Sequence, residues 1–114
     1  MKIQMLFIFI AMAVTVPAAP SDQASSDGVN FKCEITGGGD NGFQIVYRNP
    51  GKIPKSCTAS CKVTKSKGGT QELTDTVYVR ADETGWTEFA SKTGVSGAPL
   101  KDPEMGPASC VDKK

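Results

Sequence analysis

Four cysteines, Cys33, Cys57, Cys61 and Cys110, carry the clearest chemistry in this sequence. An even set of thiols in a small chain can form two disulfides or hold a metal ion. Zinc sites draw on paired ligands such as C-x2-C and often on histidine, and this chain has neither, so no metal is expected. Two disulfides are expected instead, in an oxidising compartment. Cys57 and Cys61 lie four residues apart. In a strand they share a face but stand roughly 13 Å from one another, beyond the Cα separation of about 7 Å that a disulfide spans. A Cys57–Cys61 bridge would need a turn or helix, which Ser56 to Thr64 does not favour. Each is therefore expected to reach outward, one to Cys33 and one to Cys110, with the two assignments left open.

Catalytic chemistry finds little support. With no histidine in the chain, Ser-His-Asp and Cys-His nucleophiles and two-histidine acid–base schemes are excluded. Carboxylate pairs such as Asp82-Glu83, or Glu88 with Asp75, read as solvated surface rather than as a glycosidase pair. Gly37-Gly38-Gly39-Asp40 lacks the Lys-Ser/Thr that completes a phosphate-binding loop. No catalytic residues and no cofactor are expected, and the chain is read as a non-enzyme.

Charge is close to balanced, +1 over the whole chain, but unevenly placed. Between Arg48 and Lys67 stand Arg48, Lys52, Lys55, Lys62, Lys65 and Lys67 with no acid among them. Glu72 to Glu104 holds seven acids against Arg80, Lys92 and Lys101. The basic run could meet an anionic membrane, glycan or protein surface, or it could be a solvated face neutralised on folding. It includes no aromatic residue, and net charge is near zero, which argues against nucleic acid.

The elements that must position these residues begin with an export signal. Lys2, the apolar run Met5–Val14 and Val16-Pro17-Ala18 fit the charged, apolar and small-residue parts of a signal peptide cut after Ala18. Roughly 96 residues would remain, enough for one domain with a small core. The expectation is a secreted protein, periplasmic if its source is a Gram-negative bacterium. Residues 19–28 read as a flexible leader, and residues 29–114 as a single β-domain.

Val29, Phe31, Cys33 and Ile35 alternate with polar residues, as do Phe43, Ile45 and Tyr47, so two half-buried strands flank a mobile glycine loop. Asn49-Pro50-Gly51 is a turn, and Pro54 argues against a strand through residues 52–55. Cys57 to Arg80 forms a second hairpin, for which two registers compete. A Gly68-Gly69 loop would oppose Lys65 to Glu72 and Lys62 to Asp75. A Lys67-Gly68-Gly69 loop would oppose Cys57 to Val79, Ala59 to Val77 and Val63 to Leu73.

Exposed ion pairs contribute about 0 to 1 kcal/mol, against about 1.5 to 3 kcal/mol for a buried aliphatic side chain, so the three-residue loop is expected. It leaves Asp75 on the apolar face, near a sheet edge or hydrogen-bonded. After a turn at Asp82–Gly85, Trp86–Ala90 reads as a short strand supplying the largest core side chain. Repeated Gly and Pro keep regular structure sparse from Ser91 to Ser109, with Cys110 tying the tail down.

The fold expected is therefore all-β, a small disulfide-stabilised antiparallel sandwich or open barrel of five to six short strands. The function expected is a monomeric, non-enzymatic interaction protein that binds an extracellular or cell-surface macromolecule through preorganised turns. Two alternatives remain. One is a secreted toxin, antimicrobial or host-directed effector acting at an anionic surface through the basic run. The other is a protease inhibitor presenting Lys52-Ile53 or Lys67-Gly68 to a trypsin-like pocket.

Overall fold

A computed structural model describes residues 21–113, so the expected signal peptide lies outside the described residues. Eight antiparallel strands follow one another: β1 (Gln23–Ser26), β2 (Val29–Thr36), β3 (Gly42–Asn49), β4 (Lys55–Lys65), β5 (Thr70–Val79), β6 (Glu83–Lys92), β7 (Leu100–Met105) and β8 (Ser109–Asp112). They form two sheets. Sheet I has the order β1-β2-β3-β6, and sheet II the order β5-β4-β7, with β8 pairing the other half of the same edge of β4.

The all-β expectation holds, with eight strands rather than five or six. The three extra strands come from segments without apolar alternation. β1 lies in the stretch expected as a flexible leader, folded back on β2 by Asp27-Gly28, both at positive φ, 51° and 84°. Such a two-residue turn matches the twist of paired strands. β7 and β8 lie in the Gly- and Pro-rich tail, each held as an edge strand against β4. The glycine loop between β2 and β3 is fastened too, Asn41 O accepting from Val95 N and Asp40 O from Leu100 N, each at 2.8 Å.

The inner faces carry the apolar alternation. Val29, Phe31 and Cys33 of β2, Phe43, Ile45 and Tyr47 of β3, and Phe89 and Ala90 of β6 share one buried cluster with Cys57, Ala59, Cys61 and Val63 of β4 and Val79 of β5. Phe89 stands edge-on to Phe31 and Tyr47, at centroid distances of 5.5 and 6.2 Å, geometries that the ring quadrupoles favour. Cys61 bonds across the core to Cys33, and Cys57 bonds sideways to Cys110. Both outward bonds expected of the β4 cysteines are thus present.

The β4–β5 hairpin keeps the expected faces but slips by two residues. Lys65 N donates to Gly69 O at 2.9 Å, so the loop is Ser66-Lys67-Gly68 rather than Lys67-Gly68-Gly69. Cys57 faces Val77, Ala59 faces Asp75, and Val63 faces Gln71. A slip of two preserves which side chains point inward, because strand side chains repeat every two residues. The new register places Gly68 and Gly69, at φ 104° and 85°, where a three-residue loop and its bulge require left-handed backbone. It also opposes Lys62 to Glu72 and joins the Thr58 and Thr76 hydroxyls at 2.8 Å. Burial and charge pairing, in conflict in the two registers weighed from sequence, agree in this one. Asp75 is exposed on the edge strand β5, its carboxylate accepting from Thr76 N at 2.8 Å.

Candidate functional site

Simple alternation from Ala90, which is buried, would turn Glu88 and Trp86 into the core as well. The β3–β6 ladder avoids burying that carboxylate. Ala90 pairs with Ile45 and Glu88 with Val46, leaving Phe89 as the extra residue of a β-bulge. A bulge lets two successive residues point the same way and reverses the alternation beyond it. Phe89 and Ala90 are both buried, and Trp86 emerges on the outer face of sheet I, 39% exposed. The expectation of Trp86 as the largest core side chain is corrected accordingly, and Phe31, Phe43, Tyr47 and Phe89 take that role.

On the outer face Trp86 is held by two cations. Lys32 Nζ of β2 lies 4.8 Å from the indole centroid, and Arg48 Cζ of β3 lies 4.9 Å from it. Val46 of β3, flanked by Lys32 of β2 and Glu88 of β6, lies on the same outer face yet is only 5% exposed and separate from the core cluster. Exposed cation–π contacts contribute about 0.5 to 1 kcal/mol each, enough to order these side chains without removing them from solvent. Around them, Glu34 lies 3.6 Å from Lys32 and accepts from Gln44 Nε2 at 2.7 Å. The result is an ordered aromatic and guanidinium surface with a mixed-charge border. Beside it, Ser91 Oγ donates to Glu88 Oε2 at 3.3 Å.

The six basic residues read from the sequence are separated by the fold. Arg48 belongs to the Trp86 group on sheet I. Lys52, in the β3–β4 loop, binds Asp82 at 2.9 Å. Lys55 is buried at the start of β4, its ammonium 2.7 Å from Asp27 and 2.6 Å from Asp112. Lys62 lies on the outer face of sheet II opposite Glu72, 3.9 Å from Glu104. Lys65 pairs with Leu100 of β7, and Lys67 sits in the β4–β5 turn. No single face collects them.

Two of these ammonium groups titrate higher than an ordinary lysine. For Lys52 the cause is its hydrogen bond to Asp82. For Lys55 the hydrogen bonds to Asp112 and then Asp27 raise the pKa against the opposing effect of burial. Among the described residues, no three Cys, Asp or Glu side chains gather as metal ligands.

The grouping of Lys32, Arg48 and Trp86 was not read from the sequence. Lys32 and Arg48 both fall on the polar side of their strands in the alternation, so their shared face was accessible. The position of Trp86 above them depended on the bulge. No protein-family model, no curated protein and no solved structure matches this chain.

Proposed function

We propose that this chain is a small non-enzymatic interaction protein, exported through its amino-terminal signal, that binds an extracellular or cell-surface macromolecule through the outer face of sheet I. Two disulfides and no free cysteine suit an oxidising, extracellular-type environment. The observation that carries the reading is Trp86, the chain's single tryptophan, kept at the surface by a bulge and ordered by Lys32 and Arg48. Tryptophan and arginine dominate binding energy at protein interfaces, and side chains already ordered lose less entropy on contact. Glu34, Gln44, Glu88 and Ser91 supply the polar rim.

Photo-crosslinkers placed at Gln44 on sheet I and at Thr74 on sheet II, exposed to native extracellular material from the source organism, test this reading. A discrete crosslinked species from position 44, absent from position 74 and lost on Trp86→Ala, is the expected outcome. Equal capture from both faces, or capture unchanged by Trp86→Ala, would refute it.

A further inference from the structure

The loop between β3 and β4 is fastened on both sides of one exposed peptide bond. Asn49, only 1% exposed, does most of this. Its Oδ1 accepts from Gly51 N at 3.1 Å, and its Nδ2 donates to Ile53 O and Arg80 O, each at 3.1 Å. Gly51 O accepts from Asp82 N at 2.9 Å, and Pro54 O accepts from Lys113 N at 2.8 Å. The backbone is thereby held just before Lys52 and at the two residues after it. Lys52 itself projects, its side chain 85% exposed, and Ile53 beside it is 47% exposed.

We propose that this loop is a reactive-site loop for a serine endopeptidase that cuts after lysine, with Lys52–Ile53 as the presented bond and Asn49 as the group that makes the encounter inhibitory. This reading stands independently of the outer-face site on sheet I. A preordered loop enters a protease cleft at low entropic cost. Among the described residues the side-chain partner of Lys52 is Asp82, in a pair open to solvent that a buried carboxylate in the protease pocket can replace.

In the chemical step the protease serine Oγ attacks the Lys52 carbonyl carbon and gives its proton to the enzyme's general base. The C–N bond to Ile53 then breaks, and the same proton passes to the Ile53 nitrogen, leaving Lys52 as an acyl-enzyme. In an ordinary substrate the new amine departs and water completes hydrolysis. Here the Ile53 carbonyl remains bonded to Asn49. The segment that follows is β4, tied by Cys61–Cys33 to β2, which pairs with β3 on the other side of the cut. The amine therefore stays beside the acyl carbon at high effective concentration. Its attack expels the serine oxygen, which regains its proton, and restores the peptide bond with no net change in atoms.

Lys67-Gly68 is held differently. Its turn is closed by main-chain bonds and by Ser66 Oγ donating to Pro99 O, its glycines take positive φ, and among the described residues no single side chain bonds both sides of the Lys67–Gly68 peptide as Asn49 does around Lys52–Ile53. It supplies the internal control.

The test titrates active trypsin-type protease with the intact, disulfide-bonded protein and follows hydrolysis of a small lysyl amide. Activity is expected to fall linearly to zero near one equivalent. Lys52→Ala should weaken inhibition at least 100-fold, and Lys67→Ala should leave it unchanged. Asn49→Ala should turn the protein into a substrate cut after Lys52. Because that variant also loses three part-buried hydrogen bonds that support the fold, the wild type is also incubated with a trace of protease and followed by mass. Arrest at a stable mixture of intact and Lys52-cut chains supports religation. Cleavage that runs to completion, absence of inhibition at excess, or inhibition that survives Lys52→Ala overturns the proposal.

Discussion

The two disulfides start from the same face of β4 and hold different parts of the molecule. Cys61 reaches across the core to β2 of the opposite sheet, with 5.8 Å between Cα atoms. Cys57 reaches sideways to the residue it already opposes in β8, with 4.1 Å between Cα atoms. Sequence separations of 28 and 53 give chain-entropy contributions of about 3.5 and about 4 kcal/mol, a difference too small to rank them. Position ranks them instead. Cys33 and Cys61 are both within the buried cluster, and their bond is the covalent link between the sheets. Cys110 is partly exposed, and what it retains is a four-residue edge strand. If that bond is absent, β8 can loosen while the rest stays folded, so the folded state regains some of the freedom that the unfolded state gains.

The largest effect is accordingly expected from the joint replacement Cys33→Ala with Cys61→Ala. It should cost about 3 to 5 kcal/mol, the entropy of the lost link plus packing lost in the core. Urea denaturation measures this directly. Cys57→Ala with Cys110→Ala should cost about 2 kcal/mol or less in the same experiment. Its distinguishing sign is local. Amide exchange should accelerate at Ser109–Asp112 and Lys113 while protection at Phe31 and Ile45 is retained. Equal denaturation midpoints for the two double variants would show that loop length, and not the sheet–sheet link, decides stability.

The same contrast between core and periphery governs how much the sequence disclosed. β2, β3 and the faces of β4 and β5 were readable because one face of each must be apolar. The outward reach of Cys57 and Cys61 followed from strand rise alone. The hairpin register was off by two residues, since a slip of two leaves every face unchanged and only the positive φ of Gly68 and Gly69 separates the options. β1 and β8 bury little of their own, and β7 buries Leu100 only at its start. Their pairing is stabilised by partner strands, although Asp27-Gly28 was a legible hairpin signal before Val29. Trp86 was misdirected by alternation because a bulge is a property of two strands together. Asn49 read as a turn residue, and its buried bonds to Ile53 and Arg80 became visible only once β3 and the β5–β6 turn were adjacent.

The smallest expected effect concerns Lys55, which fastens the same tail by charge. Its ammonium joins Asp112 of β8 to Asp27 of the β1–β2 turn, so it ties the tail to sheet I as well as to β4. Its folded-state pKa is raised, first by the Asp112 hydrogen bond and then by that of Asp27. A raised folded pKa means the stabilisation is complete below the unfolded lysine value of about 10.4 and is lost as pH climbs through the folded value. Tyr47 is raised also, by burial and then by Glu83, and acts in the same direction near and above pH 10. Stability should therefore fall on the alkaline side for two main and separable reasons, the solvent-open Lys52–Asp82 pair acting in the same direction but adding little. Lys55→Met should remove the lysine share and Tyr47→Phe the tyrosine share of the drop in urea midpoint between about pH 9 and 11. In the wild type the Cys57–Cys110 bond keeps β8 in place after Lys55 loses its proton, so the lysine share should be modest. In the Cys57→Ala, Cys110→Ala protein the ion pairs take over more of that task, and Lys55→Met should there increase proteolytic loss of residues 109–113 at neutral pH. Equal loss in both backgrounds would mean that the charge and the disulfide act independently, and the tail would then be held mainly by its ladder to β4.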